Sequence, residues 1–88
     1  MVNLQEITQF YLEFLKRSNT KTHKDGTPRE HAKWMLTEMV SFTDEMKEKH
    51  NRWLGFVQGV LWMERIFSID ELREHVVYYT KNPKYHEL

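Results

Sequence analysis

Hydrophobic residues recur along this chain every three or four positions, with polar residues between them. Such spacing places the hydrophobic residues on one side of an α-helix, whereas a half-buried strand would require strict alternation. In the N-terminal segment, one apolar stripe comprises Ile7, Phe10, Tyr11, Phe14 and Leu15. We therefore predict a first helix from Leu4 to about Arg17, and its solvent-facing side carries Gln5, Thr8, Gln9 and Glu13.

A second apolar stripe follows the polar segment at residues 18–26, SNTKTHKDG, which we predict to be a loop. The stripe comprises Ala32, Met35, Leu36, Met39, Phe42 and Met46. Its end is ambiguous, because residues 43–52 are polar and favour a helix throughout. We favour a turn near His50 and Asn51 into an antiparallel third helix. The alternative is one helix from Pro28 to Ile66, which would require a partner subunit because it could not fold back on itself.

The most hydrophobic stretch lies between Arg52 and Phe67 and contains two of the three tryptophans. Its residues at helical spacing are Trp53, Phe56, Val57, Val60, Leu61 and Met63, and the stripe is widened by Leu54 and Trp62. Gly55 and Gly59 stand four residues apart within it, where each glycine costs about 1 kcal/mol of helix propensity relative to alanine. We interpret this pair as a position where another helix approaches closely.

Three capping boxes mark where helices begin, each with Asn, Thr or Ser three residues before a glutamate. They are Asn3–Glu6, Thr27–Glu30 and Ser68–Glu71. The last box ends the hydrophobic helix near Ile66 or Phe67. It also starts a final helix from Ile69 to about Lys81, which buries Leu72, Val76 and Tyr79 and is terminated by Asn82 and Pro83. We predict a single all-α domain over residues 1–88, a small three- or four-helix bundle that forms an oligomer.

Composition narrows the classes of partner. Thirteen basic and thirteen acidic residues cancel, so no overall field favours nucleic acid or an anionic membrane. The chain has no cysteine, which fits a reducing compartment. The N-terminus lacks the features of a signal peptide, and no apolar run is long enough to span a membrane. We expect a soluble cytoplasmic protein without a cofactor.

Acidic residues offer two arrangements for a metal ion. Glu71 and His75 lie four residues apart on one helix face, but no second pair of this kind completes a di-iron pattern. The pairs Glu45 with Glu48 and Glu71 with Glu74 resemble the acidic motifs of all-helical nucleotide pyrophosphohydrolases such as the MazG family. That resemblance implies Mg²⁺-dependent hydrolysis by these four glutamates. The family has aspartate where this chain has Glu74, and the capping role of Glu71 competes with metal binding.

A second resemblance covers about a quarter of the chain. The segment RWLGFVQGVLW at residues 52–62, followed by SIDELREH at residues 68–75, resembles a segment found in small uncharacterised accessory proteins of tailed bacteriophages. The resemblance implies a phage-encoded protein that works in the bacterial cytoplasm. It implies no chemistry.

The leading hypothesis is a non-enzymatic, homo-oligomeric protein that binds and modulates or inhibits a host or defence protein. Aromatic and methionine residues exceed what a core of this size needs, and surplus rings serve as anchors at interfaces. The predicted contact residues are Trp34, Trp62, Tyr78 and Tyr79. Two alternatives remain open. One is the Mg²⁺-dependent hydrolase, and the other is sequestration of a small nucleotide signal, with phosphates held by Arg52, Arg65 and Arg73.

Overall fold

The computed structural model describes residues 3–17 and 27–79, and these form four α-helices and one short 3₁₀ helix. The α-helices are α1 (Leu4–Arg17), α2 (Pro28–Met39), α3 (Lys47–Met63) and α4 (Ile69–Tyr78), and the 3₁₀ helix covers Asp44–Met46. No strand occurs within the described residues, so the prediction of an all-α chain is confirmed for them. The predicted loop at residues 18–26 and the predicted helix end at residues 81–83 lie outside the described residues.

Contacts between side chains give the directions of the helices. Arg29 at the start of α2 forms an ion pair with Glu64 just after α3, and Trp34 in the middle of α2 contacts Trp53 in α3. Residues further along α2 therefore contact residues earlier in α3, which shows that these two helices run antiparallel. The α1 helix packs against both α2 and α3. Its Tyr11 hydroxyl hydrogen-bonds His75 of α4. The Asn3 N–H donates to the Tyr79 carbonyl oxygen, which attaches the start of α1 to the end of α4.

The hydrophobic core lies between these helices and draws on all four of them. Its buried residues are Ile7, Tyr11, Leu12, Leu15, Ala32, Met35, Leu36, Met39, Leu54, Val57, Val60, Leu61 and Leu72. The predicted α1 and α2 stripes supply about half of this set, and Phe10, Phe14 and Phe42 pack partly buried against it. Only Leu72 of this buried set comes from α4.

The chain breaks after α2, as we favoured, but at residues 40–43 and not near His50. Two turns follow Met39, in which the Ser41 N–H donates to Glu38 and the Phe42 N–H donates to Met39. The Gln5 amide of α1 donates to the Met39 and Phe42 carbonyl oxygens (3.3 and 3.0 Å). A side chain that is distant in sequence therefore donates to the last carbonyl of α2 and to the turn that follows it.

Helical periodicity placed two residues of α1 on its solvent-facing side that are in fact buried or half-buried. Thr8 is fully buried, although the periodicity placed it toward solvent. Its hydroxyl lies 2.8 Å from Nε2 of His50, which is also buried. Gln5 is half-buried and bonded to α2 as described above. Short polar residues can face a core when another helix supplies the hydrogen-bond partner, and that partner cannot be inferred from the α1 sequence.

The α3 helix ends at Met63, a few residues before the predicted end. The Ile66 N–H donates to the Leu61 carbonyl oxygen (2.8 Å), and the Arg65 N–H donates to that of Trp62 (2.9 Å). This is a Schellman motif, and it requires a left-handed residue at the position of Arg65. Arg65 adopts φ = 61°, although glycine usually occupies such a position.

The three predicted capping boxes form to different extents. At Ser68 the capping box is complete, since the Ser68 N–H donates to Glu71 Oε1 (2.8 Å) and the Glu71 N–H donates to Ser68 Oγ (3.1 Å). Thr27 caps α2 through the Glu30 N–H, with Pro28 at the first helical position. Asn3 accepts from the Glu6 N–H, but its own N–H pairs with Tyr79. Within the residues described here, none of the helices could cross a membrane.

Candidate partner-binding surface

Aromatic side chains form a continuous surface along the outer side of α2 and α3. We call this the α2–α3 aromatic surface and define it by His31, Trp34, Phe42, Lys49, Trp53 and Phe56. The centroids of neighbouring rings are 5.2 to 5.9 Å apart. The neighbouring pairs are His31–Trp34, His31–Phe56, Trp34–Trp53 and Phe42–Trp53. Trp34 and Phe56 are 51% and 53% exposed, so these two rings are available to a partner.

A lysine lies over one end of this surface. Nζ of Lys49 is 4.9 Å from the Trp53 ring centroid and 5.3 Å from that of Phe42, within the range of a cation–π interaction. The Phe42 ring also contacts buried His50 edge to face (5.4 Å). The surface is therefore anchored to the core at this end and open to solvent at Trp34 and Phe56.

The four predicted contact residues do not form a single surface. Trp34 belongs to the α2–α3 aromatic surface, whereas Trp62 lines a groove between α3 and α4. Tyr78 is 73% exposed near the end of α4 and stacks edge to face on Tyr79 (4.8 Å). Tyr79 is half-buried and packs against the core.

The three arginines of the nucleotide alternative are also dispersed. Arg52 lies on the exposed side of α3, and Arg65 lies beyond the end of that helix. Eleven helical residues separate Arg52 from the last residue of α3, which corresponds to roughly 16 Å along the helix axis. Arg73 lines the α3–α4 groove, which has a volume of about 320 Å³ and also contains Trp62. The remaining lining is Gln58, Gly59, Ile69, Leu72 and Val76. One guanidinium and one indole therefore share a mostly apolar site.

The described residues contain no group of three or more acidic, histidine or cysteine side chains that could hold a metal ion. Glu45, Glu48, Glu71 and Glu74 therefore do not gather as the resemblance to pyrophosphohydrolases implied. Glu71 is occupied by its capping bond. His75 is half-buried, with Nδ1 bonded to the Tyr11 hydroxyl (2.9 Å), which limits its use as a metal ligand.

Two polar links connect α1 to α3 and α4, one of them buried and the other partly buried. The Gln58 amide donates to the Tyr11 hydroxyl (3.1 Å), which lies 2.9 Å from Nδ1 of His75. Burial raises the pKa of Tyr11 to about 12 and lowers the pKa of His75, although Glu71 and Glu74 oppose the change at His75. Burial also lowers the pKa of His50, which pairs with Thr8. Tyr11 and His50 are shielded from solvent.

Most of the α2–α3 aromatic surface was missed from the sequence. Trp53 and Phe56 follow helical spacing and were therefore predicted to lie on the core-facing stripe, but Phe56 faces solvent together with Met63 and Trp62. Val57, Val60 and Leu61 of the predicted stripe do face the core, and so does Leu54, which was predicted to widen the stripe. The antiparallel pairing of the second and third helices was expected, but the break was placed near His50 and not at residues 40–43. That position gives a different register, in which Trp34 does not lie beside Trp53.

Comparison of the chain with protein-family models, with curated proteins and with solved structures gave no match. The surface described above therefore carries the functional conclusion.

Proposed function

We propose that this chain is a non-enzymatic accessory protein of the phage type, which binds and modulates or inhibits a host or defence protein in the bacterial cytoplasm. It binds through the α2–α3 aromatic surface and works as a homo-oligomeric helical bundle. The observation that carries the proposal is the row of adjoining rings that ends in exposed Trp34 and Phe56. Tryptophans held between other rings give a large contact area with little loss of side-chain freedom on binding.

The chemistry of the surface indicates what kind of partner suits it. Its rings are apolar, and Lys49 contributes one cation that already rests on Phe42 and Trp53. A polyanion would need several free cations, as would a nucleic acid that binds chiefly through its phosphates. A protein surface with an apolar patch and a carboxylate near Lys49 matches this distribution better.

The test is affinity capture from bacterial extract, quantified by mass spectrometry for wild type, Trp34→Ala and Tyr78→Ala. Both residues are exposed aromatics, but only Trp34 belongs to the α2–α3 aromatic surface. We expect a specific partner to be retained by wild type and Tyr78→Ala and to fall at least tenfold with Trp34→Ala. Equal capture by all three proteins, or loss only with Tyr78→Ala, would show that the assigned surface is wrong.

A second candidate function is sequestration of a small nucleotide, favoured by the presence of Trp62 and Arg73 in one groove. The indole would stack on the base and the guanidinium would pair with a phosphate. Thermal unfolding with a nucleotide panel tests this candidate, since a ligand at 100 times its Kd stabilises the fold by about 2.7 kcal/mol. A stabilising nucleotide whose effect disappears with Arg73→Ala would support it, and unchanged unfolding with every nucleotide would remove it.

A further inference from the structure

A groove with a volume of about 540 Å³ runs along one side of α1 and reaches the end of α4. The rings of Phe10, Phe14 and Tyr79 line it, and all three side chains are half-buried. Exposed Glu6, Glu13 and Arg17 also line it. We call this the α1 groove and define it by these six residues. It shares no residue with the α2–α3 aromatic surface or with the α3–α4 groove.

The charges of the α1 groove follow one another along a single side of the helix. Glu6 and Glu13 are seven residues apart, which is roughly 10 Å along the helix axis, and Arg17 follows about one turn later. The groove therefore presents two negative charges and then a positive charge beside its rings. A matching occupant carries two cations followed by an anion.

The chain itself contains such a segment directly after Tyr79. Residues 80–88 have the sequence TKNPKYHEL and lie outside the described residues. Lys81 and Lys84 precede Glu87, so the order of charges is the same as in the groove and every sign is opposite. In an extended chain the two lysines are about 10 Å apart, which matches the spacing of the two groove glutamates.

The point at which the described chain ends brings this segment to the groove. The ring of Tyr79 lines the groove, and its carbonyl oxygen accepts from the Asn3 N–H (2.6 Å). The chain therefore leaves the described structure beside the first turn of α1. From Asn3 to Arg17 is about 21 Å along the helix axis, whereas nine extended residues span about 30 Å. Residues 80–88 are long enough to turn back and follow the whole groove.

We infer that residues 80–88 bind in the α1 groove of their own chain, with Lys81 and Lys84 against the two glutamates and Glu87 against Arg17. Between the ion pairs, the segment covers the three rings and removes apolar surface from water. Exposed ion pairs are individually weak, so binding depends on several acting together. It also depends on the covalent attachment at Tyr79, which keeps the segment at a high effective concentration.

Disulfide cross-linking in the full chain tests the position of the segment, because the natural chain contains no cysteine. Gln9 lines the groove between the two glutamates, and Asn82 lies between the two lysines. The control position is Glu74, which is exposed on α4 at a similar number of helical residues from the attachment point. We expect Gln9→Cys/Asn82→Cys to form its internal disulfide at least tenfold faster than Glu74→Cys/Asn82→Cys.

Two results of this experiment would overturn the inference. One is an equal rate for the two cysteine pairs, which would mean that the segment has no preference for the groove. The other is a disulfide between two chains in place of the internal one, which would show that the groove takes the segment of a second copy.

Charge reversal in the Gln9→Cys/Asn82→Cys protein tests the alignment of the segment. We expect Glu13→Lys and Lys84→Glu each to slow internal cross-linking at least threefold, because each places like charges together. The combination should restore the rate to within about twofold of the parent protein, and single variants without effect or a combination without recovery would refute the alignment. Trp34→Ala lies outside the groove and should leave cross-linking unchanged, so this inference and the proposed partner surface can fail independently.

Discussion

At the scale of single residues, Arg65 shows how a helix end can impose an unfavourable backbone conformation. The Schellman hydrogen bonds after α3 require a positive φ at this position, and a Cβ atom makes that conformation costly. Ile66 and Phe67 then turn back to pack against the core. The bend between α3 and α4 thus depends on one residue held outside the usual regions of backbone conformation.

We expect Arg65→Gly to be more stable than Arg65→Ala by about 1 kcal/mol, because both variants lack the guanidinium but only glycine adopts positive φ without strain. In a domain of this size the difference corresponds to a melting temperature about 4 to 8 °C higher for glycine. Urea unfolding of the two variants at one protein concentration measures it. Equal stability would mean that the left-handed conformation of Arg65 is not costly in this chain.

At the scale of helices, the start of α4 was the feature best determined by its own sequence. Ser68 and Glu71 satisfy each other's backbone N–H groups within four residues, so no distant partner is needed. The end of α2 shows the opposite case. It depends on Gln5 of α1 and on Phe42 reaching Trp53 and His50 of α3, and residues 43–52 alone gave no stop signal.

The effect of a substitution in the α4 capping box on stability should depend on which of its two hydrogen bonds is lost. We expect Ser68→Ala to lower the free energy of unfolding by about 1 kcal/mol, because the Glu71 N–H loses its acceptor. Glu71→Gln should be nearly neutral, since an amide oxygen can still accept from the Ser68 N–H, whereas Glu71→Ala should destabilise. Chemical denaturation of the three variants measures these differences. A cost for glutamine as large as that for alanine would show that the carboxylate charge, and not the hydrogen bond, matters here.

At the scale of the whole molecule, two histidines link α1 to its neighbours and make the fold sensitive to pH. Burial lowers the pKa of His50 and of His75, whereas both have a pKa near 6.5 in an unfolded chain. Below about pH 6.5 the unfolded chain therefore binds more protons than the folded protein. Their contribution to stability is complete above about pH 6.5 and is lost progressively as the pH falls below it.

We expect the free energy of unfolding to fall between pH 7.5 and pH 5.5, and the His50→Gln/His75→Gln variant to lose less over the same range. Glutamine keeps hydrogen-bonding capacity next to Thr8 and Tyr11 but does not titrate. Urea unfolding at the two pH values, for both proteins, measures the difference. An equal loss in the double variant would place the pH dependence in other groups.

The sequence by itself determined that the described chain is helical, where α1, α2 and α4 begin, and which residues of α2 face the core. Each of these features depends on spacing or capping within one segment, and local hydrogen bonds and helical periodicity are enough to specify it. The α1 bounds were also predicted as observed, from Leu4 to Arg17.

Only the tertiary structure decided where α2 ends, why Thr8 is buried, and which side of α3 remains exposed. From Trp53 to Met63 the α3 sequence carries hydrophobic residues on more than one side, so its own pattern could not select the side that faces the core. That choice was made by the helices that pack against it, because Leu54, Val57 and Leu61 join the core shared by the four helices while Phe56, Trp62 and Met63 remain exposed. The α2–α3 aromatic surface follows from this choice, which explains why periodicity along one helix did not reveal it.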